Sequence, residues 1–228
     1  AQEAAEQMGF ALDLLEARGD IAPDSPEAEA FAQSRIRDTI MHEVGHTLGL
    51  THNFKASTVY TRAQLQDKEF TEKNGISGSV MDYNANNIAL EGERQGEYVM
   101  STLGPYDYWA IEYAYKPIAP GQEAQELGRI AGRSTEPALA YADDADAEGG
   151  PVGGIDPLAN RFDLGDDPLA WYSRRMELSR ELWTRVQARG ARPGDDPLRA
   201  RRVLLSGFRQ LRNMPEMVAK YVGGMQTL

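Results

Sequence analysis

Apolar residues along this chain recur mostly three and four positions apart and almost nowhere in strict alternation, so the pattern predicts helices joined by long connections. Residues 2–18 place Ala4, Met8, Ala11 and Leu15 on one face and end at Gly19, a common helix stop. Asp24, Ser25, Pro26 and Glu27 offer N-cap candidates, a Pro for the first turn and an acid near the positive end of the dipole, which predicts a second helix from Pro26 to Leu48. Thr61 and Gln64 have the spacing of a capping box and Asn74-Gly75 reads as a stop, with a short helix between them. The chain then turns repeatedly through Ser77, Gly78, Asn84, Asn86 and Asn87, and a helix follows over Pro105 to Ala114. Residues 116 to 168 are rich in Pro, Gly and Asp, and stretches such as YADDADAEGGPVGG predict an irregular, solvated connection. The helical period returns from Pro168 to Arg189 with Leu178, Leu182 and Val186 on one face, then over about 197 to 212, with a short last piece from Pro215. The fold class is therefore mainly α, without internal repeats.

Length and composition narrow the functional classes. With 228 residues the chain can bury a core of its own. A net charge of -11, from 24 Lys plus Arg against 35 Asp plus Glu, argues against a nucleic-acid partner, which would need clustered cations. The longest strongly apolar stretch, Tyr106 to Tyr115, contains Asp107 and Glu112 and is far shorter than the roughly 18 residues of a membrane span. The absence of Cys rules out disulfides and thiolate metal sites and is compatible with an extracytoplasmic address. The chain starts at Ala1 with no initiator Met, signal peptide or basic leader, which reads as a processed product or an excised piece.

All three histidines, His42, His46 and His52, lie within eleven residues, in HEVGHTLGLTH. At about 100° per residue, His42 and His46 project from one face of the second helix, one turn apart, so two imidazoles can reach one ion. Glu43 is rotated away from ligation and is left beside the position of a reacting water, where a general base belongs. Gly49 can take a left-handed conformation, end the helix and bring His52 back to the same ion. Three imidazoles with a fourth position open is the pattern of catalytic zinc, whereas structural zinc is closed by four protein ligands. A lone His is more often a hydrogen-bonded core or surface residue, yet three histidines fall at this spacing by chance in roughly 1 of 10⁴ placements. On the opposite face Ile36, Ile40, Val44 and Leu48 form an apolar stripe, which predicts core packing.

HEVGHTLGLTH resembles the HExxHxxGxxH signature of the metzincin zinc peptidases, and Ser79-Val80-Met81-Asp82-Tyr83, 29 residues past the third His, resembles their Met-turn. The resemblance implies that His42, His46 and His52 are zinc ligands, that Glu43 is the catalytic acid/base, that Met81 lies beneath the metal, and that Tyr83 approaches it or stabilises the oxyanion. The wider run, with HNFKAST, SVMDYNANNI, LGPYDYWAIEYAY and DLGDDPLA, is similar to a group of large extracytoplasmic bacterial zinc-dependent metalloproteases, which implies a secreted or periplasmic location and peptide or protein substrates. Two features depart from the pattern. Metzincins place a twisted sheet before the active-site helix, whose edge strand binds substrate by strand addition, and here about 25 mostly helical residues stand in that place. Asn53 follows the third His where astacins carry Glu. The expected arrangement is thus the C-terminal part of a metzincin-like catalytic domain: residues 1–115 with the zinc helix and Met-turn, 116–167 irregular, 168–228 a helical subdomain. The apolar stripe, without its sheet, would then pack on the first helix or another copy of the chain.

The implied reaction is zinc-assisted peptide hydrolysis. The rival reading is a catalytically inactive, zinc-stabilised helical binding or assembly module. The missing edge strand motivates it, and the retained Glu43 opposes it. Asp156, Asn160, Asp163, Asp166 and Asp167 supply hard oxygen donors that would suit calcium, without the spacing of an EF-hand loop.

Overall fold

In a computed structural model that describes residues 2–148, 154–190, 196, 198–212 and 214–226, every regular element among the described residues is helical. Helix α1 (Gln2–Arg18) is followed by α2 (Pro26–Thr47), which starts where Ser25 accepts from the Ala28 amide. The capping box at Thr61 is present, but the helix it opens is only α3 (Arg62–Leu65). Asp67 caps a new helix, α4 (Lys68–Asn74), by accepting from the Phe70 amide, so the single helix expected between Thr61 and Asn74 is two. The remaining helices are α5 (Pro105–Tyr115), α6 (Glu123–Ala131), α7 (Asp144–Ala147), α8 (Pro168–Arg189), α9 (Arg199–Arg209) and α10 (Met214–Ala219). None among the described residues is long and apolar enough to cross a membrane.

Two apolar clusters hold these elements. In one, Phe10, Leu14 and Leu15 of α1 pack with Leu178 and Leu182 of α8, Val203 of α9 and Ile88. In the other, Ile76, Val80, Met81 and Met100 meet Phe162, Leu164, Trp171, Tyr172 and Met217. Helix α8 belongs to both, with Trp171 and Tyr172 toward the Met-turn and its middle toward α1, and so fixes one cluster relative to the other. The Arg18–Glu181 pair, at 2.8 and 2.6 Å, adds a polar tie between α1 and α8.

Two expectations need correction. The stripe Ile36, Ile40, Val44 and Leu48 is not core: these side chains are 58%, 55%, 48% and 40% exposed. Helix α2 buries Phe31, Asp38, His42 and Gly45 instead, because the metal-site face is the one covered by the Met-turn. The connection between α5 and α8 is not a solvated tether either. It contains α6 and α7, and Leu139, Ala142, Asp156, Ala159, Asn160, Asp163 and Leu164 are buried. Its Asp and Asn residues satisfy its own backbone: Asp143 accepts from the Ala145 amide, Asp156 from the Leu158 amide, and Asn160 donates to the Pro157 carbonyl. Residues 149–153, within the stretch expected to be most irregular, lie outside the described residues.

The long loop before α5 is pinned by Glu93. Its carboxylate accepts two bonds from Arg174 (3.0 and 2.5 Å), one from Arg62 (3.1 Å) and one from the Leu90 amide (2.8 Å). The Arg174 guanidinium foremost holds this carboxyl down to about 2. A depressed carboxyl adds stability that is present above its unfolded value near 4.5 and is lost as pH falls toward about 2. The Glu93 side chain is about a third exposed, so screening keeps the contribution to about 1 kcal/mol. Urea midpoints measured from pH 5 to 2 should fall less steeply in Glu93→Gln than in the wild type.

Candidate metal centre

The three histidines converge, with one ligand nitrogen from each within 4.8 Å of the others. His42 and His46 come from successive turns of α2, and the helix ends just after them, where Gly49 takes φ +86° and returns the chain to His52. Each ring is oriented through Nδ1. His42 donates to the Val80 carbonyl (2.8 Å), His46 to the Leu50 carbonyl (2.9 Å) and His52 to the Asp144 carboxylate (2.8 Å). These partners are acceptors, so the proton of each neutral ring is on Nδ1 and Nε2 carries a lone pair. The Nε2 atoms of His46 and His52 are nevertheless 3.2 Å apart. Two lone pairs at that distance repel unless a proton or a metal ion lies between them. Nitrogens bound to one tetrahedral zinc at 2.0–2.1 Å lie roughly 3.3 Å apart, so the donor set fits zinc. Burial, with His46 and His52 beside it, pushes the His42 imidazole below its ordinary value, which favours the neutral ligand form.

Met81 is fully buried beneath this arrangement, and its amide and carbonyl bond Ser79 Oγ and the Asn53 amide. A Cβ on Gly45 would collide with the Met81 sulfur, so a glycine between the first two histidines is what lets the Met-turn reach the helix. Tyr83 packs against His52 (4.6 Å between ring centres), His42 (5.3 Å) and Phe54 (5.2 Å). A cleft of about 140 Å³ opens beside it, lined by Glu3, Arg35, Asp38, His42, Glu43 and Tyr83. Glu43 is exposed there, one residue past the most buried ligand. Burial, opposed by Arg35, pushes the Asp38 carboxyl up to about 6.

The sequence reading passed over three residues that this site depends on. Asp107, in the first turn of α5, accepts from Ser79 Oγ (2.6 Å), the Val80 amide (3.0 Å) and the Gly104 amide (2.8 Å), and so holds the turn whose Val80 carbonyl orients His42. Asn53 donates to the Ala140 carbonyl and accepts from the Ala142 amide, docking the segment that carries Asp144. Asp144 orients His52 and is itself held by Arg161 at 3.0 Å. The capping pattern around Asp143 was the one available signal for Asp144; nothing local ties it to a histidine 92 positions away. The five oxygen donors proposed for calcium do not converge. Asp156 is paired with Lys55, Asp167 caps α8, and Asp166 is exposed, while only Asn160 and Asp163 meet.

Two helix-borne histidines and a third returned by the following turn, above a buried methionine and with a carboxylate in the adjoining cleft, define a metal site of the HExxH class. Residues 24–228 match the Met-zincin family, and the chain belongs to it. No curated protein and no solved structure matches the chain significantly.

Proposed function

We propose that this chain carries the active site of a zinc-dependent endopeptidase. The observation that supports it best is the convergence of three imidazoles, with His46 Nε2 and His52 Nε2 3.2 Å apart, next to a cleft lined by His42 and Glu43. Zinc in such a site supplies Lewis acidity and makes hydroxide accessible near neutral pH. The chain's residues do the rest. The Glu43 carboxylate takes the proton of the attacking water and delivers it to the leaving amine, because with three histidines committed as ligands no imidazole is left for that task. Burial, with Asp144 near, pushes the Tyr83 phenol up, so it remains a proton donor at neutral pH and hydrogen-bonds the carbonyl oxygen as charge develops there. Asp144 positions His52, and Asp144→Ala should weaken zinc binding about 10- to 100-fold, read by chelator competition, with the helix content unchanged. An extracytoplasmic location belongs to the same reading.

A second reading is favoured by one observation: among the described residues no strand borders the cleft to bind a substrate backbone. On that reading the zinc site stabilises a binding module. A quenched-fluorescent peptide library, assayed with chelator and with zinc restored, separates the two. Cleavage that disappears and returns with the metal supports the peptidase. Stoichiometric zinc with no cleavage of any peptide, by this chain or by a longer chain containing it, supports the module.

A further inference from the structure

Three stretches of chain are laced together next to the Met-turn. The Ser57 amide donates to Asp82 Oδ2 at 2.7 Å, the Gly165 amide to the Ser57 carbonyl at 3.0 Å, and the Phe162 amide to the Tyr83 carbonyl at 2.8 Å. This lacing brings the carboxyls of Asp82 and Asp163 together against the Ser57 side chain. Asn160 joins them, with its Nδ2 3.4 Å from Asp163 Oδ2. All four are deeply buried, Ser57, Asn160 and Asp163 at 0% exposure and Asp82 at 4%.

Three oxygens in this group have no hydrogen-bond partner, Asp82 Oδ1, Asp163 Oδ1 and Asn160 Oδ1, and the Ser57 hydroxyl lies against both carboxyls. Buried oxygens of this kind are nearly always satisfied. The nearby cations are committed elsewhere. Lys55 pairs with Asp156 at 2.7 Å, Lys220 donates to the carbonyls of Asp146, Ala147 and Ala159, and Arg175 donates to the Phe162 carbonyl and Gln210. Burial pushes both carboxyls upward, and the neighbouring Asp163 raises Asp82 further.

We propose that Asp82, Asp163, Asn160 and Ser57 form a buried calcium site that clamps the Met-turn to the segment beneath it. Donors that are all oxygen select a hard cation, and two carboxylates with amide and hydroxyl oxygens, completed by water, suit the flexible coordination of calcium better than the strict octahedron of magnesium. Asp82 lies between Met81 and Tyr83 in sequence, so an ion here would fix the position of both at the edge of the cleft. This set shares only Asn160 and Asp163 with the acidic run noted in the sequence. It does not depend on the peptidase reading.

The test uses the full chain loaded with one equivalent of zinc, stripped of other metals, and titrated with CaCl2. The expected result is about one calcium per chain retained beside the zinc, by mass spectrometry of the gel-filtered protein, and a rise of roughly 5 °C or more in Tm at saturating calcium. Asp163→Asn should weaken calcium binding about 100-fold or more while leaving the zinc content unchanged. A wild-type chain that retains no calcium and whose Tm does not respond to it would overturn the proposal and leave the two carboxyls sharing a proton. Calcium binding undiminished in Asp163→Asn would also overturn it, by placing the ion elsewhere. The wild-type measurements decide the matter even if the variant fails to fold.

Discussion

Replacing Glu43 with Ala or Gln is expected to lower peptide hydrolysis by about 10²- to 10⁴-fold while the protein keeps its zinc and its thermal stability. The separation of the two readouts follows from where the residue sits. Glu43 is exposed in the cleft, bonds none of the three imidazoles, and contributes nothing to either apolar cluster. His42, its neighbour, is buried and anchored to Val80. On the proposed peptidase reading, one step along α2 divides metal holding from proton transfer. Removing the carboxylate should therefore act on kcat and leave the metal content alone. Hydrolysis retained at the wild-type rate in Glu43→Ala, measured on any peptide the wild type cleaves, would remove Glu43 from the mechanism.

Asp107→Ala is expected to cost about 3–5 kcal/mol of folding stability, a large share of the 5–15 typical of a domain. It would strand the Ser79 hydroxyl and the Val80 and Gly104 amides, all of which Asp107 satisfies in a buried place. The effect should reach the metal, because the same Val80 residue that donates to Asp107 accepts from His42. Chemical denaturation with and without chelator should show the loss of stability in both, and chelator competition should show weaker zinc binding. Asp107→Asn keeps an acceptor but turns an amide toward an N–H group, so it should fall between the wild type and Ala. A variant with wild-type stability and zinc affinity would show that the turn holds itself.

How much of this could be read beforehand differs from residue to residue. The histidines were legible because a helix fixes the i, i+4 geometry locally, and Gly49 because a reversal after a helix needs positive φ. Met81 and Tyr83 were legible through resemblance alone, since nothing in their own neighbourhood points to a metal. Asp107 and Asp144 were not legible: each acts on a residue far away in sequence, Asp107 looked like an ordinary acid in the first turn of a helix, and Asp144 lay in a stretch that read as solvated connection. The stripe on α2 misled because periodicity reports that one face is apolar and not whether anything covers it. The segment after α5 misled in the opposite sense, since its Pro, Gly and Asp content resembles solvated chain, whereas those side chains satisfy its backbone and allow it to be buried.

The central claim is that one zinc ion is held by His42, His46 and His52 with no further protein ligand. X-ray absorption at the zinc edge, on protein shown to contain one zinc per chain, tests it most directly. The expected spectrum has three imidazole nitrogens at about 2.0–2.1 Å and no fourth protein ligand. A fourth imidazole or carboxylate from the chain in the coordination shell, or zinc that binds equally well to His46→Ala, would contradict it.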